Sequence, residues 1–155
     1  MDIAQKIALT FKAQGGQGLS LSKIRPKGSL INGQFPSDGI VPFMNIFNTV
    51  TESISQGGSR KGALMMSIDV WHPEAETFIK IKEDLNKINK ANLSVEIDDK
   101  FMNRINNDVN VADLFNTICK SAWKSAEPGI LFVDRLRNYN IMEFVDDYQI
   151  ETSNP

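Results

Sequence analysis

Short apolar runs alternate with stretches of helical periodicity along the whole chain, and this alternation limits the fold more than any other feature. Residues 2–14 space Ile3, Ile7 and Phe11 four apart, with Ala4 and Ala8 beside them, as one helical face ended by Gly15 and Gly16. Gly18 to Ile24 then alternates apolar and polar residues, as a strand does. Ala63 to Val70 is mostly apolar, the pattern of a strand covered on both faces in a parallel sheet. His72-Pro73-Glu74 opens a helix, with proline early and acid in the first turn. Asn92 to Asp98 alternates again, and Phe101 to Ile105 is a short helix. Asn110 caps another helix, with Val111, Leu114, Phe115, Ile118 and Ala122 on one face, and Glu127-Pro128-Gly129 stops it. Ile130 to Val133 is a short buried strand, 138–149 a loop with a short helix, and Ile150 to Asn154 the start of one more strand. Strands alternating with helices imply crossover connections and a mostly parallel sheet, so the fold class is α/β. Periodicity does not separate an open sheet from part of a barrel.

Two polar loops interrupt this pattern. Arg25 to Gly39 has two prolines and three glycines, and a loop of that length in a compact domain is uncommon unless functional. Its Arg25, Lys27, Ser29 and Asn32 suit either a bound nucleotide or plain solvation. Ser37 or Asp38 is placed to cap the next helix, with Pro42 in its first turn and Ile40, Phe43, Phe47, Val50 and Ile54 inward. The second loop runs Ser55-Gln56-Gly57-Gly58-Ser59-Arg60-Lys61-Gly62. Adjacent glycines that expose N–H groups, beside two cations, can hold a phosphate. They can equally close a helix C-terminus in water. It is not a P-loop, and Gly15-Gly16-Gln17-Gly18 lacks the strand–turn–helix setting of a dinucleotide fingerprint.

Composition removes several classes. The 155 residues carry a net charge of −2, which argues against nucleic acid as partner, and no apolar run is long enough for a membrane span. The start lacks a signal peptide's basic and apolar regions, so a cytoplasmic location is expected. The one cysteine, Cys119, excludes an internal disulfide and reads as a small hydrophobe on a helix face. His72 has no second histidine or cysteine pair near it, so no metal site is expected. Asp98-Asp99 and Asp146-Asp147 read as turn and capping residues, and Trp71 and Trp123 as core.

Taken in order, the segments resemble one family. Residues 15–22 with Ile24-Arg25-Pro26-Lys27-Gly28-Ser29 resemble the strand and first specificity loop of ribonucleotide reductase catalytic subunits. Residues 55–63 are similar to the second specificity loop, and Trp71-His72-Pro73-Glu74 with Phe78, Ile79 and Lys82 to the helix after it. Asn92-Leu93-Ser94-Val95, Phe101-Met102 and 126–134 resemble later elements, and Asn154-Pro155 the start of an Asn-Pro-Cys-Gly-Glu motif. The form Gly-Ser-Arg-Lys-Gly-Ala-Leu-Met and the Trp-His-Pro stretch look most like the adenosylcobalamin-dependent, class II branch.

The resemblance implies a ten-stranded α/β barrel of two parallel halves, with this chain supplying much of the first half as a single fragment over 1–155. It implies reduction of ribonucleotides at the ribose 2′-position by a thiyl radical, adenosylcobalamin as radical source, and a deoxynucleotide effector read by the loops near 25–39 and 55–62. By the same likeness Asn154 resembles the active-site asparagine and Gly16 the glycine whose backbone approaches the substrate, and Gly16, Asn154 and Pro155 are the implied substrate-binding residues. Arg25, Ser29 and Ile31 stand where the first loop meets the effector, and Gln56, Ser59 and Arg60 where the second reads the substrate base. There are departures. The cysteine and glutamate expected after Asn154-Pro155 are not in this chain, the stretch from Phe101 to Val111 is short, and Arg137 replaces an expected asparagine. The expectation is a reductase piece that is inactive alone, completed by the remaining reductase segments and prone to self-association. The alternatives are a stand-alone nucleotide-binding module and a non-functional remnant.

Overall fold

A computed structural model describes residues 2–54, 62–84, 86–142, 150, 152 and 153. The elements run α1 (Asp2–Lys12), β1 (Gly16–Ser20), β2 (Leu30–Ile31), β3 (Phe35–Pro36), α2 (Val41–Ile54) and β4 (Ala63–Asp69). Then come α3 (Ala75–Lys80), a 3-10 turn (Ile81–Glu83), β5 (Ala91–Ile97), α4 (Asp99–Arg104), α5 (Val109–Ser125), β6 (Gly129–Phe132) and α6 (Val133–Asn138). Strands β1, β4, β5 and β6 lie side by side in that order, every pair parallel, with Gly16 opposite Ala63 and Asp69 opposite Glu96.

The two faces of this sheet differ, and the difference fixes the architecture. Leu64, Met66 and Ile68 of β4 and Leu93, Val95 and Ile97 of β5 join one apolar cluster. The helices feed the same cluster through Ile7, Phe11, Met44, Phe47, Phe78, Phe101 and Ile118. Side chains alternate along a strand, so Ser20, Ser67, Asp69, Ser94 and Glu96 take the opposite face. A parallel sheet with helices on one side and a polar lining on the other is a piece of barrel wall, not an open doubly wound sheet. The chain is a partial α/β barrel.

Several boundaries differ from the sequence reading. β1 starts at Gly16 and ends at Ser20, and Leu21 still donates its N–H to Ser67 O before the chain turns. The loop after it holds the β2–β3 hairpin, turned by Asn32 at φ 51° and Gly33 at φ 72°; Asn-Gly is a hairpin-turn signal. Neither Ser37 nor Asp38 caps α2. The Ile40 carbonyl accepts the Met44 N–H, so Ile40 is the cap. The buried face of α2 is rotated to Met44, Phe47 and Thr51, leaving Phe43 exposed, and Ile3 of α1 is exposed too. Asp108, not Asn110, caps α5, because its carboxylate accepts the Asn110 N–H. Val133 begins α6 rather than ending a strand, while most of the stretch 138–149, expected to be a loop with a short helix, lies outside the described residues. Residues 143–149, and with them Asp146-Asp147, lie outside the described residues, and Ile150, Thr152 and Ser153 carry no strand assignment.

Trp71 and Trp123 are not core residues. Trp123 is 90% exposed on α5, and Trp71 packs edge-on against Phe101 while donating its indole N–H to Asp98. Cys119 is exposed, one residue past the buried Ile118. No helix among the described residues is long and apolar enough to cross a membrane.

Candidate functional site

The sequence-predicted residues separate to two ends of the sheet. Gly16 opens β1 at the N-terminal end of the strands, paired with Ala63. The loop with Arg25, Ser29 and Ile31 follows the opposite end. Helix α2, 14 residues long, connects that loop to the approach to Gly62. At 1.5 Å per residue it spans about 21 Å. Gln56, Ser59, Arg60, Asn154 and Pro155 lie outside the described residues.

The loop 25–39 is closed by its own backbone. Gly28 N–H donates to Ser37 O, Ser37 N–H to Ser29 O, and the Ser37 hydroxyl to Arg25 O. Arg25 and Ile31 line one surface cleft of about 500 Å³ with Lys23, Asp38, Pro42 and Phe43. Ser29 sits beside them, half-buried, with its backbone committed to the loop.

What holds this loop was not legible from its composition. Glu74, 9% exposed before α3, accepts the Lys27 N–H at 3.0 Å and the Ile40 N–H at 3.1 Å through one carboxylate oxygen. One side chain therefore ties both arms of the loop to the far side of β4. Gly39, between those arms at φ +80°, lies so close that a Cβ there would run into the same carboxylate. His72 adds a second tie. Its Nδ1 accepts the Glu74 N–H, so Nε2 carries the proton and donates to Ile24 O at 2.9 Å. With both ring nitrogens engaged, His72 offers no metal ligand, and no metal-binding group of acids, cysteines and histidines occurs among the described residues.

At the other end, a cleft of about 720 Å³ opens beside the first residues of β4 and β5, lined by Thr51, Gly62, Lys82, Lys90, Asn92 and Glu127 among others. Lys82 and the Glu127 carboxylate form an ion pair at contact distance. Gly62 is tightly packed, for a Cβ there would stand 2.6 Å from the Phe11 ring.

A further polar group lines the inner face, and only the alternation of β5 hinted at it. Glu96 is 6% exposed, and its Oε1 has no hydrogen-bond partner among the described residues. Burial pushes its carboxyl above the ordinary value of 4.5, and the charge of Asp69 adds to this. The hydroxyls of Ser67, Ser20 and Ser22 pull it partly back. A raised folded value means the fold binds this proton more tightly than the unfolded chain. That stability is present below the ordinary carboxylate range and is lost as pH rises through the raised value. Glu96→Gln is therefore expected to be more stable than wild type near neutral pH, with the gap closing as pH falls. Urea midpoints from about pH 4 to about pH 8 read this, and a gap independent of pH would refute it.

The comparisons with known proteins agree with this architecture. The family described as "Ribonucleotide reductase, barrel domain" matches residues 1–112. A vitamin B12-dependent ribonucleoside-diphosphate reductase of Thermoplasma acidophilum is 34% identical over 96% of this chain and 21% of its own length. Its namesake from Mycobacterium tuberculosis is 30% identical over 93% of the chain and 23% of its own. The monkeypox virus ribonucleoside-diphosphate reductase large subunit is 33% identical over 69% of the chain. The chain thus spans about a fifth of the length of the vitamin B12-dependent relatives, whose likeness runs further along it than the viral one. A class Id ribonucleotide reductase alpha subunit from Actinobacillus ureae superposes with TM-score 0.84 at 22% identity, over 98% of this chain and 28% of its own, which establishes the fold. One-sided helix cover, a polar inner face and this family match lead to one conclusion: the chain belongs to the ribonucleotide reductase barrel family, and is most like its vitamin B12-dependent, class II members.

Proposed function

We propose that the chain is one wall of a ribonucleotide reductase catalytic barrel, a single fragment over 1–155 that works only with the remaining reductase segments. The observation that carries this is the parallel sheet with its polar inner face and a bonded loop at one end, in a chain whose relatives are named reductases. In this reading the assembled protein reduces ribonucleotides to deoxyribonucleotides by thiyl-radical chemistry. Gly16 brings its backbone to the substrate, Asn154 holds the ribose, and Pro155 shapes the same turn. Arg25, Ser29 and Ile31 meet a deoxynucleotide effector, and Gln56, Ser59 and Arg60 carry its identity toward the substrate base. Helix α2 is the rigid link between the two loops, so an effector that moves one end biases the other, which is a coupling free energy between sites.

The relatives' names assign vitamin B12 to them, and adenosylcobalamin is carried over to the assembled reductase, where it supplies the radical. The described residues do not fit the cobalt, since the one histidine is spent on two backbone groups. The corrinoid is assigned to other parts of the barrel, and no step here runs through it. Among the described residues β1 and β6 each have one neighbour in the sheet, and exposed edges of that kind favour self-association.

Calorimetry of the chain with the four deoxynucleoside triphosphates at low salt tests the effector reading. Binding should be weak, because part of the binding energy goes into ordering loops without their partners. Arg25→Ala and Arg60→Ala should each weaken it by about 1–3 kcal/mol, the range for charge-assisted contacts. Equal binding by wild type and both variants would favour plain solvated loops.

A further inference from the structure

Ser67 is fully buried at the middle of the sheet's inner face. Its hydroxyl lies 2.6 Å from the hydroxyl of Thr152, 85 residues further along the chain. The same hydroxyl is beside the Glu96 carboxylate of the next strand and 3.5 Å from Leu19 O of the strand before. Ser67 thus reaches both neighbouring strands and Thr152 at once. A buried hydroxyl has one proton to give and two lone pairs to fill. Either hydroxyl can donate the 2.6 Å bond, since Ser67 also reaches Leu19 O at 3.5 Å and Thr152 also reaches Ser153 O at 3.4 Å. Glu96 is itself supported by Ser22, whose hydroxyl in turn accepts the Asp69 N–H at 2.8 Å.

We propose that Ser67 is a seat for Thr152 and Ser153, and that through Thr152 it acts as a positioning residue for Asn154, two residues on. The role given to Asn154 rests on the reading above; the seat itself does not. A chain held at Thr152 has few ways to continue, whereas one free there has many.

The test is nitrogen-15 relaxation on the intact chain, without nucleotide. The backbone order parameters at 152 and 153 are expected near about 0.85 in wild type, the rigid range, and below about 0.6 in Ser67→Ala and in Thr152→Val. Thr152→Ser keeps the hydroxyl and should hold the rigid value, a rescue that mere packing at this position does not predict. Should Ser67→Ala fail to fold, the Thr152→Val and Thr152→Ser pair decides alone, because Thr152 is outside the apolar core. Values already below about 0.6 in wild type, or unchanged in Thr152→Val, overturn the seat. A rigid wild-type segment that loosens in Thr152→Val establishes the seat even if the chain binds no deoxynucleotide. That second result would count against the effector reading only.

Discussion

Replacing Glu74 by alanine is expected to cost about 2–4 kcal/mol of stability and to release the loop 25–39 from the barrel wall. The carboxylate takes two backbone N–H groups, and hydrogen bonds to a charged group contribute about 1.5–3 kcal/mol each. They will not be lost equally. Lys27 is exposed, so water can replace the carboxylate at its N–H. Ile40 is fully buried, so its N–H would be left without a partner. Domains of this size are stable by about 5–15 kcal/mol, so the loss is a large share of the whole. Glu74→Gln keeps an acceptor in place and should cost about half as much. Gly39→Ala should mimic the alanine variant from the other side, because it forces a Cβ onto the carboxylate at a left-handed φ. Urea denaturation gives the energies, and trypsin cutting after Lys27 reports the loop, since Pro26 shields the bond after Arg25. A Glu74→Ala variant within about 0.5 kcal/mol of wild type, the range of ordinary surface changes, would show that the tie is incidental.

The second large effect is an absence of turnover. The isolated chain, given adenosylcobalamin, a dithiol and all four ribonucleotides, is expected to reduce none of them. Thiyl chemistry needs a sulfur on the inner face, held against the ribose within about 3–3.5 Å. The chain has one cysteine, and Cys119 is exposed on α5, whose buried Val111 and Ile118 belong to the cluster on the outer, helix-covered face. No rotation of that side chain carries the sulfur through the sheet. Cys119→Ser should therefore leave every measured property of the chain unchanged. Product formation that disappears in Cys119→Ser would overturn both the assignment and the partial-barrel reading.

The alternation of apolar runs and helical periodicity was enough to place the four sheet strands, because Ala63–Asp69 and Ala91–Ile97 are inner strands that leave little choice of structure. Which side of the sheet the helices cover was not legible, since period-two alternation marks two faces without saying what lies against each. Cap positions slipped by two or more residues where several polar residues compete. Asp108 and Asn110 both suit a helix start, and Asp108 wins because its carboxylate reaches the N–H two residues on. Trp71 and Trp123 were misplaced because aromatic character does not show which way a residue faces. In the candidate site, the loop 25–39 stood out by its length and glycines. Its anchor did not, because Glu74 is 47 residues from Lys27 and reads locally as an ordinary first-turn acid. Glu96 and Ser67 were visible only as polar residues out of phase with the apolar face.

The order of the strands also sets a timetable for synthesis. Gly16 pairs with Ala63, so β1 leaves the ribosome 47 residues ahead of its neighbour. At about 5–20 residues per second, that is a wait of about 2–9 s. During it α1 can pack on α2, a contact made entirely within the first 54 residues. The β2–β3 hairpin can also close, and such hairpins form within about 1–10 μs. Its partner among the described residues, β4, appears only after that wait, and nascent chains on neighbouring ribosomes meanwhile offer identical strands. β1 is short, at five residues, and begins Gly-Gln-Gly. Glycines weaken a strand interior, so this one pairs poorly with anything that lacks the shape of β4.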